Sequence, residues 1–371
     1  MSTPRVSILI PTYNRAALLR EALDSVFSQS FSDFEVIVVD DGSTDDTREV
    51  VAEYAGVEYV YTDHGGPARA RNAGMQRARG EFLCYLDSDD LYYPHKLALQ
   101  VEWLDANPDC GMVYTEFSAF DGDGLWDEFH LKTYHKSAFR HSRCAYDRLF
   151  SEQSGLDRNR VLAGLGNDKW RQRSEYRGHV FDAYLFDTIV FTNSMMFRRS
   201  LLETVGLQDP YFGHFHDLEF ALRLCRAGKV GFIDNPTYKL RYHPAQVSAT
   251  TGDRGEINAV KLQSGLLRVA RVHAWQDADY YAAHRPRVNR LVARLCRAVA
   301  MRMISYGGAS AHRRRYLPRR ARRYLRQSSK LGFAHTSLYV ASYLPTFLKR
   351  VYFRLERRVR RRWPASDSGF A

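Results

Sequence analysis

Short apolar runs and amphipathic stretches alternate through the first 120 residues. Residues 6–10, 34–39, 57–61, 81–86 and 111–115 are brief apolar and aromatic runs, the pattern of strands covered on both faces. Between the first two, Leu18, Leu19, Ala22, Leu23, Val26 and Phe27 recur at helical spacing. Further helices are predicted over residues 45–54, 67–77 and 94–106. Strands separated by helices of this length predict βαβ units with right-handed crossovers and a mostly parallel sheet. The rhythm fails over residues 121 to about 190, which are rich in aromatics, His and Arg. A long irregular segment of this composition reads as a functional insertion. Order returns with a strand at 192–197, helices at 200–205 and 217–227, and short strands at 230–233 and 238–242. From about residue 256 the pattern is helical and Arg-rich to the end. The expected organisation is an α/β unit over residues 1–250, with the insertion, and a basic helical region over 251–371.

Three polar loops follow three of the expected strands. The first contains Pro11, Thr12, Tyr13, Asn14 and Arg15, the second Asp40 and Asp41 before Gly42 and Ser43, the third Asp87, Ser88, Asp89 and Asp90. Ligands of open α/β sheets sit outside the carboxyl ends of the strands. In an extended segment Asp87 and Asp89 project to one side, and paired carboxylates there suit Mg²⁺ or Mn²⁺ on a diphosphate. Each loop taken alone also fits turn and helix-cap chemistry, with Asp90 capping the next helix. Three such loops at successive strand ends favour a binding crevice. No GxGxxG and no GxxxxGK[ST] is present, so neither a dinucleotide fingerprint nor a P-loop accounts for it.

The phrases Val6-Ser-Ile-Leu-Ile-Pro-Thr-Tyr-Asn-Arg15, Val38-Val-Asp-Asp-Gly-Ser-Thr-Asp45, Ala70-Arg-Asn-Ala-Gly74 and Gly80-Glu-Phe-Leu-Cys-Tyr-Leu-Asp-Ser-Asp-Asp90 resemble family 2 glycosyltransferases, inverting enzymes of the Rossmann-like GT-A fold that use nucleotide-sugar donors. The resemblance covers about residues 4–120 and again 190–245, and is absent from the insertion and the tail. It implies that Thr12, Tyr13 and Asp40, with Asp41 as a further neighbour, lie near the nucleotide, that Arg71 approaches the diphosphate, and that Asp87 and Asp89 form the metal-binding DxD. It also implies a general base at a helix start, where the chain reads Phe215-His-Asp-Leu-Glu219. Leu218, Ala221, Leu222 and Cys225 form a core face, leaving Asp217 as the expected base. His216 stands where the family pattern has Glu, which keeps Glu219 open as a competing base or structural partner. His243 resembles a late family His that reaches the metal or diphosphate. Arg198 and Arg199 read either as contacts to an anionic acceptor or as exposed charges. Trp126 and Trp170 read as sugar-stacking or, more readily, as packing residues.

Composition and charge add the setting. The chain has 371 residues, enough for one α/β domain with an appendage. Its five cysteines, Cys84, Cys110, Cys144, Cys225 and Cys296, form no CxxC pair, which argues against a disulfide framework or a thiolate zinc site and fits a reducing, cytoplasmic setting. The apolar run near the start is too short for a signal-peptide core. The net charge of +12 is uneven: residues 1–250 carry 27 Lys and Arg against 36 Asp and Glu, residues 251–371 carry 27 against 6. The stretch 331–348 is interrupted by His335, Thr336, Ser337 and Pro345, a poor bilayer span. Basic clusters around it, including Lys349, Arg350 and residues 357–362, suit the anionic inner face of a plasma membrane rather than nucleic acid. The expected reaction is a Mn²⁺- or Mg²⁺-assisted, inverting transfer from a nucleoside-diphosphate sugar, UDP-linked by preference, to a surface-glycan or lipid-linked hydroxyl. A nucleotidyltransferase would carry a Gly-rich N-terminal loop, which is lacking here. A non-catalytic membrane-surface scaffold of the same fold is the other alternative.

Overall fold

The computed structural model describes residues 3–134, 146–157, 159–186, 190–243, 264–305 and 311–343. The chain divides into two compact units, residues 1–244 and 245–371.

The first unit is built on one mixed sheet. Its strands are β1 (Val6–Thr12), β2 (Phe34–Asp40), β3 (Val57–Tyr61), β4 (Phe82–Tyr85), β5 (Leu91–Tyr92), β6 (Cys110–Asp121), β7 (Gly124–Asp127), β8 (Glu152–Gly155), β9 (Ser174–Gly178), β10 (Met196–Arg198) and β11 (Lys229–Arg241). Their order is β3-β2-β1-β4-β10-β6-β11-β9-β8, with β5 paired to β11 and β7 to β6. β3, β2, β1 and β4 are mutually parallel, as the βαβ rhythm requires. β10 runs antiparallel between β4 and β6, which turns the other half into a mixed sheet. Its helices include α1 (Ala16–Phe27), α2 (Thr47–Ala52), α3 (Pro67–Arg77), α4 (Lys96–Ala106) and α5 (His216–Ala227), with shorter turns between β7 and α5.

Ile8, Leu9, Ile10, Ile37, Val38, Phe82 and Leu83 are fully buried, because helices cover both faces of the parallel half. Close packing sets the path of β11: a Cβ on Gly231 would lie 2.0 Å from the Trp103 ring. Residues 230–233 and 238–242, expected as two strands, fall on a single strand that ends at Arg241 and whose register against β6 shifts around Pro236. Part of the irregular insertion adds β7, β8 and β9 as antiparallel strands. The expected strand at 192–197 splits into a 3-10 turn, Thr192–Ser194, and the short β10.

In the second unit, residues 264–270 are helical and lead into a π-helical turn at Arg271–Trp275. Then follow α6 (Ala278–Ser305), α7 (Ala311–Lys330) and α8 (Thr336–Ala341). α6 kinks at His284, two residues before Pro286, whose ring cannot continue the hydrogen-bond ladder. Along α7, Ala321, Leu325 and Ser328 are buried while Arg319, Arg320, Arg323, Arg326 and Lys330 are exposed. No helix among the described residues is long and apolar enough to cross a membrane. Cys144, residues 256–263, Lys349, Arg350 and residues 357–362 lie outside the described residues.

Candidate active site

β1, β2 and β4 are parallel neighbours, so the loops that follow them gather at one edge of the sheet, where open α/β sheets form their binding crevice. Thr12 closes β1 opposite Asp40 of β2. Thr12 Oγ1 is buried without a hydrogen-bond partner. Asp40 is engaged within the fold, where Oδ1 accepts the Ser43 N–H at 2.8 Å and Oδ2 the Tyr59 hydroxyl at 2.6 Å. Burial first, then the hydrogen bond to this carboxylate, pushes the Tyr59 hydroxyl above its ordinary pKa. Asp41 accepts the N–H groups of Gly65 (2.8 Å) and Gly66 (2.9 Å), and Gly66 takes a left-handed φ of 87°. That turn brings the His64 ring to 4.3 Å from Tyr13, both side chains being largely exposed. Asn14, at φ 50°, accepts the Thr44 N–H and donates its own N–H to Ser43 Oγ, locking the first loop to the second. Pro11 is half-buried within β1.

The acidic loop after β4 turns instead of staying extended, since Asp90 N donates to Asp87 O at 3.0 Å. Asp87 and Asp89 therefore sit in a turn and meet different cations. Asp87 Oδ1 accepts from Arg71 Nη2 at 2.5 Å. Asp89 Oδ2 accepts from Arg15 Nη1 at 2.6 Å and lies 3.0 Å from His243 Nε2. Ser88 between them is buried. Arg71 is buried too, and desolvation opposes its charge, but Asp87 and Asp217 hold it cationic. Asp90 is fully enclosed, accepting the Arg241 N–H at 2.9 Å and Asn193 Nδ2 at 2.6 Å. Burial, with Asp89 and Asp87 beside it, raises its pKa well above the carboxylate range. It is a structural tie to β11 and not a helix cap.

The start of α5 completes the crevice. Asp217 accepts the Thr192 hydroxyl at 2.9 Å and the Leu218 N–H at 2.7 Å. Burial would raise its pKa, but the His216 and Arg71 charges and these two donors outweigh that and lower it. Glu219 is buried, both oxygens held at 2.9 Å by Arg223. His216 is buried and pairs through Nδ1 with Gln208 Oε1 at 2.7 Å. The Thr192–Ser194 turn links the two acidic groups, because Asn193 Nδ2 donates to Asp90 and, at 3.3 Å, to Asp87 while Thr192 holds Asp217. Asn193, Tyr59 and His64 are the residues that sequence reasoning missed. Nothing local marks them, as each acquires its place through a partner at least 19 positions away or through ring packing across the crevice.

Two expectations move away from the site. Arg198 donates to the carbonyls of Leu104 and Cys110, and Arg199 to that of Gly80. Because β10 is antiparallel, its carboxyl end meets the amino ends of β4 and β6, across the sheet from the crevice. Trp170 packs on Tyr93 and His95 and donates from Nε1 to Glu128 at 2.8 Å, a packing role.

Among the described residues no group of three or more His, Cys, Asp or Glu side chains gathers as a metal cage. The converging pair Asp89 and His243 nevertheless fits a cation that draws its other ligands from phosphate and water. Hard divalent ions are commonly held by one or two protein groups plus substrate phosphates.

The glycosyl transferase family 2 profile matches residues 7–206, more than half of the chain. An uncharacterized glycosyltransferase of Rickettsia typhi is 29% identical over 252 residues, 67% of each chain. A Bacillus subtilis protein assigned by name to teichuronic acid biosynthesis, TuaG, is 36% identical over 126 residues, 33% of this chain and 50% of that one. Among solved structures, TarS of S. aureus superposes with TM-score 0.55 at 17% identity, covering 91% of this chain and 52% of TarS. The Pyrobaculum calidifontis mannosyltransferase PcManGT, solved with GDP-Man and Mn²⁺, gives 0.51 at 19% identity over 94% of this chain and 88% of its own. The likeness to both is one of fold, a GT-A-type α/β sheet with flanking helices followed by a helical C-terminal region. With the profile spanning the strand ends, the acidic loop and the turn that carries Asn193, the chain belongs to glycosyl transferase family 2.

Proposed function

We propose that this chain moves a sugar, with inversion, from a UDP-linked donor to a hydroxyl of a surface-glycan or lipid-linked acceptor. The observation that carries this reading is the buried turn at Thr192–Ser194, which binds the acidic loop and the start of α5 into one hydrogen-bonded unit. A displacement needs the leaving group and the base held at fixed separation, and a shared rigid anchor supplies that. TarS crystallises with UDP, which supports the choice of nucleotide. The naming of TuaG for teichuronic acid synthesis supports a surface polymer as acceptor class.

Tyr13 and His64 would flank the base, with Thr12 Oγ1 and Asp40 beside the nucleoside. Arg15 and Arg71 would face the diphosphate, and Arg71 keeps its charge there because Asp87 and Asp217 surround it. A Mn²⁺ or Mg²⁺ ion on Asp89 and His243 would neutralise charge developing on the leaving diphosphate. Asp217, ionised because its pKa is lowered, takes the proton of the acceptor hydroxyl. The freed oxygen attacks the anomeric carbon on the face opposite the diphosphate, the new C–O bond forms as the old one breaks, and the configuration inverts. The exposed cations of α7 would hold the enzyme against the anionic inner face of a plasma membrane, where lipid-linked acceptors reside.

Incubation of the full chain with UDP-sugars, with and without Mn²⁺ and without acceptor, tests the reading. Metal-dependent release of UDP is the expected result. No UDP release, and no UDP-induced rise in thermal midpoint, would overturn it.

A further inference from the structure

Trp126 in the β6–β7 hairpin and Tyr242, the residue before His243, form an aromatic pair. Trp126 of β7 is 49% exposed and Tyr242, immediately after β11, is 36% exposed. Their rings stand 5.3 Å apart at 61°. Both meet the His130 ring edge-on, Trp126 at 4.8 Å and 80°, Tyr242 at 5.7 Å and 89°. His130 is buried, with Nδ1 2.8 Å from Asp127 Oδ2 and Nε2 2.9 Å from the Tyr242 hydroxyl. An Asp–His–Tyr relay thus fixes the exposed rings from behind. Rings already immobilised lose little further freedom when a ligand arrives.

The pair is tied to both halves of the reaction centre. Tyr242 directly precedes His243, which meets Asp89 at 3.0 Å. In the other direction His130 packs on Phe117 at 5.7 Å and Phe117 on Phe191 at 5.0 Å, and Phe191 precedes Thr192, the hydroxyl donor to Asp217. Resting on the sugar-transfer reading above, we propose that Trp126 and Tyr242 form the acceptor subsite and that its occupant is a pyranose ring of a glycan chain. The electron-rich ring faces attract the weakly positive C–H face of a pyranose, and two rigid rings at an angle cradle one sugar without needing a particular sequence of hydroxyls. The reading above gives the nucleoside a separate ring pair, Tyr13 and His64, at the β1 and β2 loops.

The test is saturation-transfer NMR on the full chain with UDP and Mn²⁺, using trisaccharides of glucose, galactose, mannose and N-acetylglucosamine as probes. At least one trisaccharide is expected to show saturation concentrated on the C–H protons of a single ring. Trp126→Ala should weaken that binding at least tenfold, and Trp126→Phe should weaken it less. Tyr242→Ala, expected to weaken it similarly, carries the test should Trp126→Ala lose its thermal midpoint. All variants should keep the wild-type thermal shift with UDP. No response to any trisaccharide, or wild-type affinity in both Ala variants, overturns the subsite. A wild type that binds a trisaccharide but never shifts with UDP counts against the donor reading alone.

Discussion

Asp217 is the residue on which the proposed chemistry turns. Among the described residues its two oxygens accept one hydroxyl and one backbone N–H, so Asp217→Asn keeps the volume and can retain one acceptor contact. Transfer is expected to fall by about three orders of magnitude, the middle of the range for losing a general base, while the thermal shift with UDP stays at its wild-type size. Transfer at wild-type rate would remove Asp217 from the mechanism. His95 governs a different property. It is buried, its Nε2–H shared between Asn235 Oδ1 and the Pro236 carbonyl, and burial lowers its pKa to about 4. The unfolded chain takes up this proton near the ordinary value of about 6.5. Between those values the unfolded state binds more protons, so stability falls as pH drops through that window. Urea unfolding at about pH 5 should show about 2 kcal/mol less stability from this group than at about pH 7, and His95→Gln should flatten that slope.

The informative element is the Thr192–Ser194 turn. Asn193 is fully buried and donates to both Asp90 and Asp87. Asn193→Ala leaves an enclosed carboxyl group short of a donor, at a cost of about 2–3 kcal/mol. Urea midpoints should drop accordingly and the donor KM should rise, because the acidic loop loses its anchor. An unchanged KM would make the turn structural only. The strands β1, β2 and β4, with their loops, were legible in the chain because apolar runs and polar strand ends are local signals. The turn was not: its importance arises from pairings more than 100 positions distant in sequence, to Asp87 and Asp90. Asp87 and Asp89 meet different cations where the chain turns directly after β4, a turn that a residue-alternation argument cannot foresee. Arg198 and Arg199 face the opposite end of the sheet because β10 runs antiparallel, and direction of pairing is not written in three residues.

At the scale of the molecule, an acidic α/β unit is joined to a basic helical one. α7 has no acidic residue, and its exposed Arg319, Arg323, Arg326 and Lys330 follow helical spacing along one face. Near an anionic bilayer each such cation contributes about 1 kcal/mol. Co-sedimentation with phosphatidylglycerol vesicles should therefore weaken roughly a hundredfold when Arg319, Arg323 and Arg326 are changed together to Gln, and should fade as salt shortens the screening length. Equal binding to neutral phosphatidylcholine vesicles would refute the electrostatic account. The uneven charge was plain from composition, whereas the stripe needed the packing of α7 to select which arginines face outward. The turn beneath the crevice has one more consequence. Since the turn holds the acidic loop and Asp217 without help from β7, the exposed end of the β6–β7 hairpin can change while that anchor stays in place. On the proposed reading, exchanging β7 alone should change which acceptor is bound and leave the stereochemical outcome as it was.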